Sequence, residues 1–209
     1  TATNTAGSFR LTDGNQINTA VRSRGAVMIW TDTALYQMQF IGAPLTFGFK
    51  QIGSNCGAVG INAAVDVSGT SFWMSDDSFF LYDGAVKKIP CSVQDHVFDN
   101  INQNAKQDVF CAANSDFNEV MWFYPSANST QIDKMVAYNY AENLWYVGTL
   151  ARSAWADSGV YEVPYAAEFE ASDTTTSIST INGLKAGRTF VYLHETGVND
   201  DGAAMANHI

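Results

Sequence analysis

Short apolar runs broken by polar turn residues recur along the whole chain. The clearest set lies in 117–150. Residues 120–124 are apolar and aromatic, Pro125 and the polar 126–133 interrupt them, 135–140 resume the run, Ala141, Glu142 and Asn143 turn it, and 144–148 close it. Aromatic residues suit a pleated, half-buried surface, whereas Pro, Asn and Ser interrupt one, so the spacing predicts a three-stranded antiparallel meander. Trp122 and Trp145 are its expected core anchors, and 128–132 its exposed outer turn. A meander this small cannot cover its own apolar face and needs neighbours.

The same grammar appears upstream. Asp13, Gly14 and Asn15 signal a turn, the chain alternates from Ile17, 26–30 form a compact apolar run, Thr31, Asp32 and Thr33 turn it, and 35–41 return. Residues 71–74, the polar 75–78, the return strand 79–82, the Asp83-Gly84 turn and 85–90 repeat the scheme. Trp30, Trp73 and Trp122 stand at comparable places, roughly 40 to 50 residues apart, which is the period of a β-propeller blade. Downstream, 151–155 and 160–167 read as a further strand pair around Trp155, and 189–194 as another strand.

Two segments break the all-β pattern. In 92–102, Val93, Val97, Phe98 and Ile101 have helical spacing, with Ser92 as the expected cap. The small, Gly-rich, apolar 56–67 reads as a buried strand lying close to other backbones. The expected fold is therefore all-β: a propeller-like array of antiparallel four-stranded blades, incomplete in this stretch of chain, with one short helix. Its organisation reads as an arm or connector over 1–16, blades over 17–168, a Thr/Ser/Gly-rich loop or insertion over 169–188, and the truncated start of a further blade over 189–209. Thr1 at the start and the unfinished pattern at Ile209 suggest a fragment of a longer protein.

Composition narrows the function. Charged residues are only 15% of the chain against roughly 25% in ordinary soluble domains, and aromatics reach 13%. That balance suits either a surface partly covered by other subunits or an uncharged polar one. Eleven Lys and Arg against 21 Asp and Glu leave a formal charge of -10, which repels phosphate and disfavours specific nucleic-acid binding. No run approaches the ~20 apolar residues of a membrane-spanning helix. Cys56, Cys91 and Cys111 cannot all pair and hold no metal-type spacing, so they read as reduced, half-buried thiols.

Candidate chemistry is sparse. His96 beside Asp95 lacks a nucleophile, and His194, Glu195 and His208 match no compact zinc pattern. Asn199, Asp201 and Gly202 resemble the start of a calcium loop without its glutamate. Asp76, Asp77, Asp116 and Glu119 sit near hairpin ends, where a glycosidase would keep two carboxyl groups and where solvated turns also keep theirs. Trp122, Phe123, Tyr124, Tyr138, Tyr140, Trp145 and Tyr146 could stack on sugars, although alternation sends about half of them inward. The balance favours a protein that is not an enzyme, with no cofactor and no metal, and with Trp30, Trp73, Trp122, Trp145 and Trp155 as core anchors.

Several phrases, taken in order, carry a resemblance. They are 20–24 leading into Ile29, Trp30, Thr31, Asp32; then Phe72, Trp73, Met74 leading to Tyr82, Asp83, Gly84; then Ile89, Pro90, Cys91. Residues 119–126 follow, then Tyr138, Asn139, Tyr140 with Trp145, and finally Tyr192, His194, Glu195, Gly197 with Asp201 and Gly202. Over nearly its whole length the chain resembles the tail nozzle or packaged-DNA stabilisation proteins of short-tailed phages, whose body is a β-propeller. The resemblance implies a virion tail protein assembled in the host cytoplasm into a ring of copies, six-fold in those relatives, beside tail adaptor and tail fibre proteins. Such a ring closes the DNA channel, retains the genome and opens at ejection, with DNA passing and not binding specifically. It implies no catalytic residues and no membrane span. The alternative reading is a carbohydrate-binding or carbohydrate-cleaving propeller used in host attachment.

Overall fold

The computed structural model describes residues 7–159, 161–170, 188–196, 199–200 and 203–204. Expectations for 1–6, for most of the loop over 169–188, and for Gly197, Asp201, Gly202 and His208 lie outside them. The chain divides into two compact units, Thr1–Ala151 and Arg152–Ile209, so the boundary falls inside the stretch 17–168 read as continuous blades.

The first unit is built from three four-stranded antiparallel meanders. Strands β1 (Ile17–Ser23), β2 (Ala26–Thr31), β3 (Ala34–Gly42) and β4 (Thr46–Ser54) form one sheet in chain order. Strands β5 (Ala64–Val67), β6 (Thr70–Met74), β7 (Phe79–Tyr82) and β8 (Val86–Ile89) form the next, and β9 (Phe110–Asn114), β10 (Glu119–Tyr124), β11 (Lys134–Asn139) and β12 (Leu144–Gly148) the third. The predicted meander in 117–150 thus gains a fourth strand, β9. Its Phe-Cys-Ala-Ala-Asn sequence carries little alternation to mark it. The turns follow local chemistry. Arg24-Gly25 and Ser68-Gly69 both take positive φ at two successive residues, the turn whose twist matches the flanking strands.

The sheets are stacked like propeller blades. Strand β5 neighbours both β1 and β9, so the first strand of each sheet lies innermost and the fourth outermost. The chain must therefore return from an outer edge to the inner one between sheets. Residues 55–63 make the first return, and this corrects the predicted strand over 56–67: only Ala64–Val67 is strand. The prediction of close backbone approach holds, however. A Cβ on Gly57 would meet the Asp32 carbonyl oxygen, and one on Gly60 the Gln107 carbonyl oxygen at 2.4 Å, closer than any side chain tolerates. The second return carries helix α1 (Gln94–Phe98), whose Val97 plugs the core. Its cap is Val93 without a side-chain hydrogen bond, so the expected Ser92 cap is not formed.

Two cores fill the seams between sheets. Met28, Trp30 and Leu35 of the first sheet meet Trp73 of the second over Cys56 and Ala58 of the return segment. Phe72, Met74, Phe79 and Ile89 of the second sheet meet Cys111, Val120, Trp122, Tyr124, Val136 and Tyr138 of the third. Strand alternation splits β6 between them, with Trp73 facing one seam and Phe72 and Met74 the other.

The second unit holds β13 (Ala154–Ala156), β14 (Tyr165–Glu170) and β15 (Arg188–Leu193) in one antiparallel sheet, and the pair β16 (Asn199–Asp200) and β17 (Ala203–Ala204). Both of the first two strands lie a few residues later than the apolar runs 151–155 and 160–167 suggested, and β14 begins just past Pro164, which lacks the N–H that a strand interior requires.

Candidate functional site

The tryptophans define the seams. The indole N–H of Trp73 donates to the Cys56 carbonyl at 2.8 Å, and that of Trp122 donates to the Ala63 carbonyl at 3.2 Å. Each tryptophan thus faces back toward the preceding sheet and ties itself to the return segment. Trp30, Trp73 and Trp122 are all fully buried on the second strand of their sheets, but Trp30 does not share that role. It faces the following sheet, where its ring meets Trp73 edge-on at 5.3 Å, and its buried N–H has no hydrogen-bond partner among the described residues. In a strand, a shift of one residue exchanges the faces, so like spacing along the chain did not guarantee like orientation. Trp145 is half-buried, stacks on Tyr138 at 4.6 Å and donates to the Pro90 carbonyl. Trp155 is half-buried in the second unit.

The other candidates disperse. His96 and Asp95 are exposed on α1. Asp76 pairs with Lys106 through its carboxylate, and the Asp77 backbone carbonyl accepts from Gln94, so the β6–β7 turn is fastened to the second return segment. Asp116 is exposed in a single helical turn ahead of β10, and Glu119 begins that strand. Of the aromatics proposed as a sugar platform, Trp122, Phe123, Tyr124 and Tyr138 are buried, Tyr140 stacks on Phe72, and Tyr146 alone is exposed. Glu195 is exposed with positive φ, and no group of three or more metal-ligating side chains gathers among the described residues. The three cysteines are free. Burial raises the pKa of each, Cys56 to about 11, which keeps these thiols protonated and weakly nucleophilic.

One polar constellation escaped the sequence reading. In the second unit the buried Arg152 guanidinium pairs with Glu168 at 2.8 Å, donates through Nε to Nε2 of His194 at 3.0 Å, and lies over the Tyr192 ring at 4.1 Å. The Trp155 ring flanks His194 at 4.7 Å. Burial first, and the neighbouring cation second, hold the His194 pKa down at about 4. The imidazole is therefore neutral at ordinary pH and accepts from the arginine. These contacts join the segment ahead of β13 to β14 and to the end of β15, and so help fix the three-stranded sheet. The missed signal was register: Ala166 opposes Tyr192 and Glu168 opposes Phe190, which places alternate residues of β14 and β15 on one face.

Two apolar surfaces stay open. On the first sheet Val27, Ile29, Met38 and Phe49 are only partly buried on the side away from the Trp73 seam, and Phe9 stacks on Phe49 at 4.7 Å. On the second unit's sheet Phe169, Val191 and Leu193 are exposed. Neither a scan against protein-family models nor a search of curated proteins finds a match to this chain.

Proposed function

We propose that the chain is a structural part of a phage virion tail, a nozzle or tail-hub protein that assembles with copies of itself around the DNA channel and takes part in genome retention and ejection. The observation that carries the reading is the open stack. Within the first unit the middle sheet is covered on both faces, while the first sheet keeps one apolar face only partly covered, as expected of a protein completed by neighbours. Further support comes from where the resembling phrases fall: Ile29 to Asp32 ends β2 and its turn, Tyr82 to Gly84 ends β7, and 119–124 is β10 itself. The formal charge of -10 suits a wall past which DNA slides.

Native mass measurement of the purified protein tests assembly, with a ring of several copies expected and a stable monomer counting against it. Immunogold labelling of virions tests location, and label away from the tail overturns the reading. A glycan array and a polysaccharide depolymerisation assay separate it from the host-attachment alternative, since a nozzle neither binds nor cleaves sugar.

A further inference from the structure

The β3–β4 hairpin outgrows its own sheet. The last pairing that β2 offers is Ala26 with Gln39, so beyond it the hairpin pairs only with itself, Phe40 with Phe47 and Gly42 with Thr46. From Met38 to Phe49 no residue is charged. Phe40, Ile41, Leu45 and Phe47 are 69%, 50%, 71% and 48% exposed.

Both faces of this ribbon are apolar. The Phe40 and Phe47 rings meet edge-on at 6.1 Å on one side. Gly48 follows Phe47, so a Cβ there would point to the opposite side, and the Ile41 side chain lies in that position, 3.0 Å from it. A sheet packed flat on the blade would cover only the phenylalanine side. An apolar ribbon exposed on two faces suits a medium that surrounds it.

Charge selects the medium. At the base of the ribbon stand exposed Arg22 and Arg24, at the β1–β2 turn, and exposed Lys50, two residues below Gly48. The carboxylates of the same sheet lie at its other end, where Asp32 sits in the β2–β3 turn and Asp13 accepts from Thr33. In a chain of net charge -10, this end of the sheet joins cations to an uncharged apolar tip. Apolar tips with basic flanks partition into the headgroup layer of anionic membranes, with the cations at the level of the phosphates.

We propose that the β3–β4 ribbon is a shallow membrane anchor, in which Phe40, Ile41, Leu45 and Phe47 enter the interfacial layer of an anionic bilayer and Arg22, Arg24 and Lys50 meet its lipid phosphates. The ribbon itself stays in the interfacial layer, and no helix of the described residues is long and apolar enough to cross a membrane. The inference stands apart from the tail reading, since it concerns one hairpin and no assembly.

Co-sedimentation of the whole chain with vesicles tests it, using phosphatidylcholine alone and phosphatidylcholine mixed with phosphatidylglycerol. Binding to the mixed vesicles is expected to exceed binding to the neutral ones, and to weaken with added salt. The double variant F40E/L45E should reduce binding to background. R24E/K50E should weaken it by about five-fold or more for each cation reversed. The altered side chains are exposed, so unchanged near-ultraviolet circular dichroism checks that each variant is folded. Failure to bind mixed vesicles overturns the proposal, as does binding that F40E/L45E leaves intact. A native mass that falls in F40E/L45E without vesicle binding by the parent chain also overturns it, in favour of a protein interface.

Discussion

The middle and first sheets of the first unit share one topology and differ in how many faces they bury. β6 is buried on both sides, Trp73 in one seam and Phe72 and Met74 in the other. β2 buries Met28 and Trp30 and leaves Val27 and Ile29 only partly buried. Strand propensity is alike in the two, so propensity does not set their standing; the number of neighbours does. A sheet covered twice is locked by its neighbours. One covered once keeps a face, and here a projecting ribbon, available for something else.

The sharpest way to break that contrast is at a seam tryptophan. Trp122→Ala removes a fully buried ring that packs on Phe79 at 4.8 Å, together with the hydrogen bond to the Ala63 carbonyl. The loss expected is about 3–5 kcal/mol, near the whole stability of a small domain. Chemical denaturation followed by circular dichroism reads it, and a midpoint close to the parent's would show that the seam is not the main source of stability.

Next in size is the return segment. In Gly60→Ala the new methyl group must displace the backbone at Gln107, because the obstacle is a carbonyl and not a flexible side chain. The expected cost is about 1–3 kcal/mol, as for an overpacked core. Gly25→Ala is the control: its Cβ would meet nothing within 4 Å, so only the strain of φ +80 is felt. If the two variants melt alike, close packing of the return is unimportant.

How much of this was legible in the sequence follows from the same contrast. Strands whose apolar runs end in polar turns, such as β6, β10 and β11, could be read within a residue or two, because local chemistry fixes both ends. Facing could not. Trp30, Trp73 and Trp122 share a spacing and not an orientation, since one residue of register reverses a strand and nothing local records it. The return over 55–63 looked like a strand because close backbone packing selects small apolar residues whether or not a sheet forms. The Arg152 network was invisible for a related reason. Its members Arg152, Glu168 and His194 are far apart along the chain and meet only through the β14–β15 register.

That network extends the comparison to the second unit, whose sheet has an exposed apolar side at Val191 and Leu193 and a buried charge at Arg152. His194 titrates at about 4 in the folded chain and near 6.5 when unfolded. Between those values the unfolded chain binds more protons, so the stabilisation from neutral His194 is complete above about pH 6.5 and is lost as pH falls toward 4. Because the ring is only partly buried, the effect expected is about 1–2 kcal/mol. Amide exchange of β14 and β15 against pH should show it, and His194→Gln should flatten the profile. A His194 titration near 6.5 by NMR would remove the buried-network account.

The smallest effect is expected where the comparison began, on the open face of the first sheet. Ile29→Ala removes a side chain that pairs across the sheet with Tyr36 and is only partly buried. Little apolar area is lost to solvent, so the isolated chain should lose about 1 kcal/mol or less. The same substitution becomes costly if a neighbour covers that face, because the side chain is then fully buried and the lost methylene groups leave a cavity. Comparing parent and Ile29→Ala by melting temperature at low protein concentration, and by native mass at high concentration, separates the two conditions. A variant that folds normally yet fails to assemble marks the open face as an interface between copies; one that assembles as the parent does leaves the face solvent-exposed and turns attention to the ribbon beyond it.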